Sequence, residues 1–188
     1  MITIVSGLPR CGTSMMMKML EAGGLPPLKD DWRKPDDDNP GGYYEYEPVK
    51  GIKEDASWLE NAQGKVVKMV SRLLVYLPPE RRYHIIFMRR NTDEMLRSQK
   101  KMLDRSGKPS DDVDHETMKK LFEGHLTEID AWMQSQPNIS LRHTWYDKVI
   151  QEPETTAQAL ADFLGLPLDV AGMAGTVDPT LYRNREAG

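Results

Sequence analysis

The 188-residue sequence has little cysteine and no long apolar run. Its single cysteine, Cys11, cannot form a disulfide within the chain, and a metal site built from several cysteines is excluded. We therefore expect a reducing, cytoplasmic compartment. No apolar run approaches the roughly 18–20 residues that span a bilayer, and the chain begins with a strand-like segment rather than a basic leader. We expect neither secretion nor a membrane partner.

An excess of positive charge is also missing. The chain carries 25 Lys and Arg against 29 Asp and Glu, a formal net charge of −4, which argues against a broad nucleic-acid surface. Its four histidines show no metal-ligand spacing, so we predict no metal site. Hydrophobic and charged contents of 39% and 29% are ordinary for globular proteins. The length fits a single domain over residues 1–188.

Short apolar runs alternate with amphipathic segments along the chain. The apolar runs predict strands at 2–5, 65–70, 83–88 and 138–143. Helical periodicity predicts helices at 13–22, 48–61, 71–76, 93–103, 115–134 and 154–164. This alternation is typical of an α/β fold, a three-layer sandwich with a mainly parallel sheet.

One long segment breaks the alternation. Residues 25–47 contain several prolines, the adjacent glycines Gly41 and Gly42 and a group of aspartates. Such a composition predicts an irregular loop, and loops of this length in compact domains usually close on a ligand. We therefore expect residues 25–47 to be mobile before a ligand binds, with no regular structure over 25–44.

The segment from Gly7 to Ser14 has the spacing of a phosphate-binding loop. It contains Gly7 and Gly12 at the first and sixth positions, followed by Thr13 and Ser14, and it connects a predicted strand to a predicted helix. Amides of such a loop converge on one point, and the helix N-terminus adds about half a positive charge there. Phosphate or sulfate oxygens are the expected ligands.

The loop lacks the lysine of nucleoside triphosphatases. Thr13 follows Gly12 directly, and the cation within the loop is Arg10. No acidic residue ends the strand predicted at 83–88, where a magnesium-holding aspartate would stand, so magnesium-dependent hydrolysis is disfavoured. Instead Arg89 and Arg90 end that strand, and Ser98 follows on the next helix. This arrangement suits a second anionic group.

Together these motifs resemble the sulfotransferase family, which uses 3′-phosphoadenosine 5′-phosphosulfate as sulfuryl donor. The loop is similar to the family's 5′-phosphosulfate loop, and the arrangement of the motifs resembles that of short bacterial members. The resemblance implies that the 5′-phosphosulfate is held by the residues Pro9, Arg10, Cys11, Gly12, Thr13 and Ser14. It implies a 3′-phosphate site at Arg90 and at Ser98, eight residues later. Residues 141–166 resemble the late strand, turn and helix of the family, which would place Tyr146 near the adenine. Arg183 in the tail would fold over the nucleotide, as basic tail residues do in some members.

The same resemblance implies catalytic roles. Arg10 would stabilise charge on the transferring group, and Lys68, which matches the lysine of the family's Lys-Thr-His segment, would steady the leaving phosphate. The histidine of that segment is absent here, because Met69 and Val70 follow Lys68. We therefore expect the base to be Glu45 or Glu47, with a slight preference for Glu45. In an extended strand these two glutamates would share one face.

The sequence thus predicts an enzyme that transfers a sulfuryl group to a hydroxyl or amine of a small-molecule or peptide acceptor, without metal. Two alternatives stay open. A P-loop small-molecule kinase would bind ATP with magnesium, which the missing loop lysine disfavours. A non-catalytic nucleotide-binding protein of the same fold would lack a base.

Overall fold

The computed structural model describes residues 1–30, 42–105 and 114–181. Over these residues five strands form one sheet: β1 Ile2–Gly7, β2 Pro27–Leu28, β3 Val66–Val70, β4 Tyr83–Arg89 and β5 Ile139–Trp145. Their order in space is β2-β3-β1-β4-β5, and every neighbouring pair is parallel. The predicted parallel sheet is confirmed. Because all strands run in one direction, the segments that follow β1, β3, β4 and β5 emerge at the same edge.

Helices cover both faces of the sheet. The α-helices are α1 Thr13–Ala22, α2 Thr92–Arg105, α3 His115–Ser135, α4 Tyr146–Gln151, α5 Pro153–Leu164 and α6 Val170–Gly175. Short 3₁₀ helices lie at Glu47–Gly51, Ser57–Ala62, Ser71–Tyr76 and Pro179–Leu181. Among the described residues, no helix is both long and apolar enough to cross a membrane.

Two apolar clusters fill the space between the layers. On one face Val5 and Ile86 pack with α1, α5 and α6. On the other face Ile4, Ile85 and Phe87 pack with α3 and the 3₁₀ helices. The strands are apolar toward both faces, as expected for a parallel sheet covered on both sides. The predicted three-layer sandwich is therefore confirmed.

Two of the predicted segments differ from the structure, and α4, α6 and the 3₁₀ helix Pro179–Leu181 were not predicted. Residues 48–61 do not form one helix but parts of two 3₁₀ helices, because Asp55 Oδ1 accepts a hydrogen bond from Ser57 N at 2.8 Å and turns the chain. Residues 25–44 are not wholly irregular, since β2 pairs with β3 and Val66 N donates to Pro26 O at 3.0 Å. The remainder of that segment, residues 31–41, lies outside the described residues, so its mobility stays a prediction.

Candidate functional site

The loop between β1 and α1 adopts a conformation that needs glycine at two positions. Gly7 has φ 150° and Gly12 has φ 99°. A Cβ on Gly7 would lie 2.7 Å from the carbonyl oxygen of Met88, and a Cβ on Gly12 would lie 2.5 Å from Cδ2 of Tyr146. The predicted helix 13–22 begins and ends as expected. The strand, loop and helix of the phosphate-binding motif are thus all present.

Arg10 connects the loop to α2. Its backbone is left-handed, with φ 68°, which is uncommon for a residue other than glycine. Its Nε donates a hydrogen bond to Ser98 Oγ at 3.1 Å, and Ser98 is buried. The residue predicted for the 5′-phosphosulfate and a residue predicted for the 3′-phosphate are therefore in direct contact.

Arg90 connects the loop to the end of β4. Its Nη1 donates to the carbonyl oxygen of Arg10 at 3.2 Å, and its Nε donates to Glu94 Oε2 at 3.0 Å. The side chains of Arg90 and Glu94 are only 8% and 4% exposed. Their pairing fixes the guanidinium beside the loop. Glu94 was not among the predicted residues, because Arg90 precedes α2 and the spacing rule for ion pairs within a helix does not cover the pair.

Tyr146 completes this contact. It is the first residue of α4 and is buried, and its ring lies against Gly12. The Cζ of Arg90 lies 4.3 Å from the centroid of the same ring. The structure thus brings the loop, Arg90, Ser98 and Tyr146 together, while their roles toward a nucleotide stay predictions.

Cys11 is part of the core. Its side chain is 1% exposed and packs in the cluster around α1. Burial raises the pKa of the thiol to about 12, against smaller opposing effects that include the nearby charges of Arg90 and Lys68. Both cations therefore lie close to the loop, and the thiol is neutral at physiological pH.

Lys68, the middle residue of β3, connects that strand to the segment 42–47. Its Nζ donates to the carbonyl oxygen of Tyr43 and lies 5.9 Å from the centroid of the Tyr43 ring. The next residue, Tyr44, is left-handed at φ 53°, and its hydroxyl donates to Glu21 on α1. The segment is therefore anchored between β3 and α1.

The two candidate bases lie just beyond these anchors. The carbonyl oxygen of Glu45 accepts from Asp30 N at 2.9 Å, and Glu47 N donates to Asp30 Oδ2 at 2.6 Å. The Glu47 carboxylate is half exposed and pairs with Lys50 at 2.6 Å. The segment is not a strand, so the condition on which the two glutamates were expected to share one face is not met. Roles as base stay predictions for both.

A cavity of about 300 Å³ adjoins Arg90 at the carboxyl ends of β4 and β5. Its walls include Asn91, Lys119, Leu126 and the half-exposed indole of Trp145. Trp145 was not among the residues predicted from the sequence.

The predicted tail residue Arg183 lies outside the described residues. Within the described ranges, no three His, Cys, Asp or Glu side chains are grouped so that they could hold a metal ion.

Comparisons with known proteins bear on this geometry. A family model described as "Sulfotransferase family" matches residues 52–170, more than half of the chain. The chain belongs to the sulfotransferase family. The match begins after the phosphate-binding loop. In this sulfotransferase the loop is therefore identified from its glycine spacing and its backbone geometry, not from the family model. A comparison with curated proteins finds no match.

Two solved structures resemble the fold of this sulfotransferase. The sulfotransferase domain from the curacin biosynthetic pathway is 14% identical with a TM-score of 0.51, covering 100% of this chain and 78% of the other. A sulfotransferase from Alicyclobacillus acidocaldarius is 13% identical with a TM-score of 0.51, covering 95% and 87%. At these identities the likeness shows the fold.

Proposed function

We propose that this sulfotransferase transfers a sulfuryl group from 3′-phosphoadenosine 5′-phosphosulfate to a hydroxyl or amine acceptor. The observation that carries the proposal is the direct contact of the phosphate-binding loop with Arg90 and Ser98, in a chain of this family. Two anionic groups of one nucleotide can then be held by one connected set of side chains.

The donor would be bound by amides and cations. Loop amides and the N-terminus of α1 would hold the 5′-phosphosulfate, with Arg10 beside them. Arg90 and Ser98 would receive the 3′-phosphate, and the Glu94 pairing would keep the guanidinium in place. Tyr146 would lie near the adenine, and the cavity beside the half-exposed Trp145 offers aromatic surface for the adenosine.

The chemistry requires charge stabilisation and a proton acceptor. The acceptor atom attacks sulfur as the bond from sulfur to the bridging oxygen breaks, and the bisphosphate leaves with the electron pair. Arg10 and the loop amides would stabilise the transferring group, and Lys68 the leaving phosphate. We propose that no metal is needed, because Arg10, Lys68 and Arg90 can supply the positive charge.

We propose a small-molecule or peptide acceptor, rather than a nucleic acid or a membrane. The cytoplasmic location stays a prediction from the single cysteine.

Calorimetry tests the donor site. We expect adenosine 3′,5′-bisphosphate to bind without magnesium and more tightly than ADP. Because a hydrogen bond to a charged group contributes about 1.5–3 kcal/mol, Arg90→Ala should weaken bisphosphate binding by at least about tenfold. Ser98→Ala should weaken it less, because a neutral hydroxyl is lost.

Arg82→Ala is the matched control, since Arg82 is exposed and lies at the amino end of the same strand, just before β4. Far-ultraviolet circular dichroism of each variant separates lost binding from lost folding. Equal affinity for ADP or ATP, or binding only with magnesium, would indicate the kinase alternative. No nucleotide binding at all would contradict the proposed donor site and would favour a non-catalytic scaffold protein of the same fold.

A further inference from the structure

A histidine and a serine form a hydrogen-bonded pair that the proposed donor site does not use. Ser71 Oγ and His125 Nε2 are 2.8 Å apart. Ser71 is 2% exposed and His125 is partly buried. Ser71 is the first residue after β3, whereas His125 lies in the middle of α3. The pair therefore ties α3 to the edge of the sheet.

That edge is the one from which the phosphate-binding loop emerges. Val70, the last residue of β3, is in register with Gly7, the first residue of the loop. Neighbouring strands lie about 4.8 Å apart. Ser71 thus follows the strand that lies directly beside the start of the loop.

The first half of α3 crosses this edge. Leu126, the residue after His125, packs against both apolar clusters, which lie on opposite faces of the sheet. Lys119, Glu123 and Leu126 line the cavity at the ends of β4 and β5. On the same helix, His125 instead reaches the end of β3. Since β1 lies between β3 and β4, this part of α3 extends across the end of β1, and Phe122 and Leu126 pack against the cluster that includes Leu8 and Cys11 of the loop.

Two exposed apolar side chains lie near the pair along the chain: Val70 precedes Ser71, and Leu121 precedes His125 on α3. Val70 and Leu121 are 42% and 59% exposed. Leu121 lies one helical turn before His125, on the same side of α3. An acceptor molecule could therefore approach the imidazole along apolar side chains.

We propose that His125 is the general base of the transfer and that Ser71 positions its imidazole. This inference rests on the proposed function and deepens it. As the acceptor oxygen or nitrogen forms its bond to sulfur and the sulfur–phosphate oxygen bond breaks, the proton of the acceptor passes to the imidazole of His125. The bisphosphate leaves with the electron pair, and the imidazolium later releases the proton to water. The exposed side chains of Val70 and Leu121 favour a hydroxyl or amine on a lipophilic small molecule.

Measuring turnover together with bisphosphate affinity distinguishes loss of the base from loss of the donor site. Release of bisphosphate from the donor is measured with a panel of phenols, alcohols and amines, and with water alone. Since general base catalysis contributes about 10²–10⁴-fold, His125→Gln should lower kcat at least about 100-fold. Bisphosphate affinity should change less than about twofold, because His125 does not hold the donor. Ser71→Ala should give an intermediate loss of kcat.

His115→Gln is the matched control. His115 also lies on α3 and is hydrogen-bonded, to Asp93 at 2.8 Å, but its side chain is 49% exposed. Its variant should keep the wild-type kcat. If His125→Gln keeps kcat within twofold, while Glu45→Gln or Glu47→Gln abolishes turnover, the inference is wrong and a glutamate is the base.

A second measurement needs no acceptor. In protein with ¹⁵N-labelled histidine, the imidazole signals of His125, assigned with His125→Gln, should shift when adenosine 3′,5′-bisphosphate is added. Those of His84, near the amino end of β4 beside Phe163, should not. Bisphosphate binding by calorimetry without any shift of His125 would overturn the inference alone. Absence of bisphosphate binding would overturn the proposed function and this inference with it.

Discussion

The guanidinium of Arg90 lies over the ring of Tyr146, with 4.3 Å between Cζ and the ring centroid. The same ring also lies against the phosphate-binding loop, since a Cβ on Gly12 would be 2.5 Å from it. Tyr146 therefore supports both the loop and the cation beside it.

Removing the ring of Tyr146 should loosen the site. We expect Tyr146→Ala to lower the free energy of unfolding by about 3–5 kcal/mol, as for other buried aromatic truncations. Bisphosphate affinity should fall as well, because Arg90 and Gly12 lose a shared contact. Denaturant unfolding and calorimetry measure the two effects. Tyr146→Phe keeps the ring and its contacts with Gly12 and Arg90, so it should lose less than Tyr146→Ala in both measurements; equal losses in the two variants would contradict this role.

Gly12 should not tolerate a side chain. Gly12→Ala introduces both a strained positive φ and a collision with Tyr146, so we expect a loss of about 2–5 kcal/mol in unfolding free energy. Gly64 also has a positive φ, 70°, but open space around its Cβ. Gly64→Ala should therefore cost only about 1 kcal/mol. Similar midpoints for the two variants in a denaturant titration would show that the ring does not confine the loop.

Breaking the buried ion pair of Arg90 and Glu94 should destabilise the protein, whereas breaking the surface pair of Arg81 and Glu60 should not. Glu94→Gln leaves the Arg90 charge in a buried position without its carboxylate, which costs about 3–5 kcal/mol in comparable cases. Glu60→Gln removes the partner of Arg81, but Glu60 is 69% exposed, so its unfolding midpoint should equal that of wild type. Thermal or denaturant unfolding of the two variants tests this contrast.

The thiol of Cys11 should be unreactive in the folded protein. At high pH it should lower the stability of the folded state. Burial raises the pKa of the folded thiol to about 12, from the ordinary 9.0. Above pH 9 the unfolded chain loses this proton first, so the folded state loses stability progressively between pH 9 and 12. Cys11→Ser should flatten that part of the stability profile. Thiol labelling at pH 8 should proceed only when denaturant is added, and rapid labelling without it would contradict the burial.

Lys68 should order the segment that follows the long loop. Lys68→Met keeps the apolar stem but removes the hydrogen bond to the carbonyl oxygen of Tyr43. We expect backbone amides at 43–47 to exchange at least about tenfold faster, and sulfuryl transfer to slow. Lys65→Met, just before the amino end of β3, is the matched control for hydrogen exchange and transfer rate. Unchanged exchange at 43–47 would show that the hydrogen bond does not hold the segment.

Local patterns accounted for the fold class and for the phosphate-binding loop. The apolar runs of the buried strands, and the glycines that begin and end the loop, act on their own neighbours in the chain. The helix at 13–22 was predicted to the residue, because a glycine precedes its first residue and Gly23 and Gly24 follow its last. Residues 48–61 were mispredicted for a local reason too, since the turn at Asp55 outweighed helical periodicity.

Contacts between distant segments were decided only by the tertiary structure. The sequence placed Arg10, Arg90 and Ser98 in one site through family resemblance, but their direct contacts, and that of Ser71 with His125, depend on strand order and on how α2 and α3 cross the sheet. Apolar periodicity encodes which face of a helix is buried, and it does not encode the neighbour that covers it. The local sequence therefore specifies the motif and the layers, while packing determines which polar side chains meet at the sheet edge.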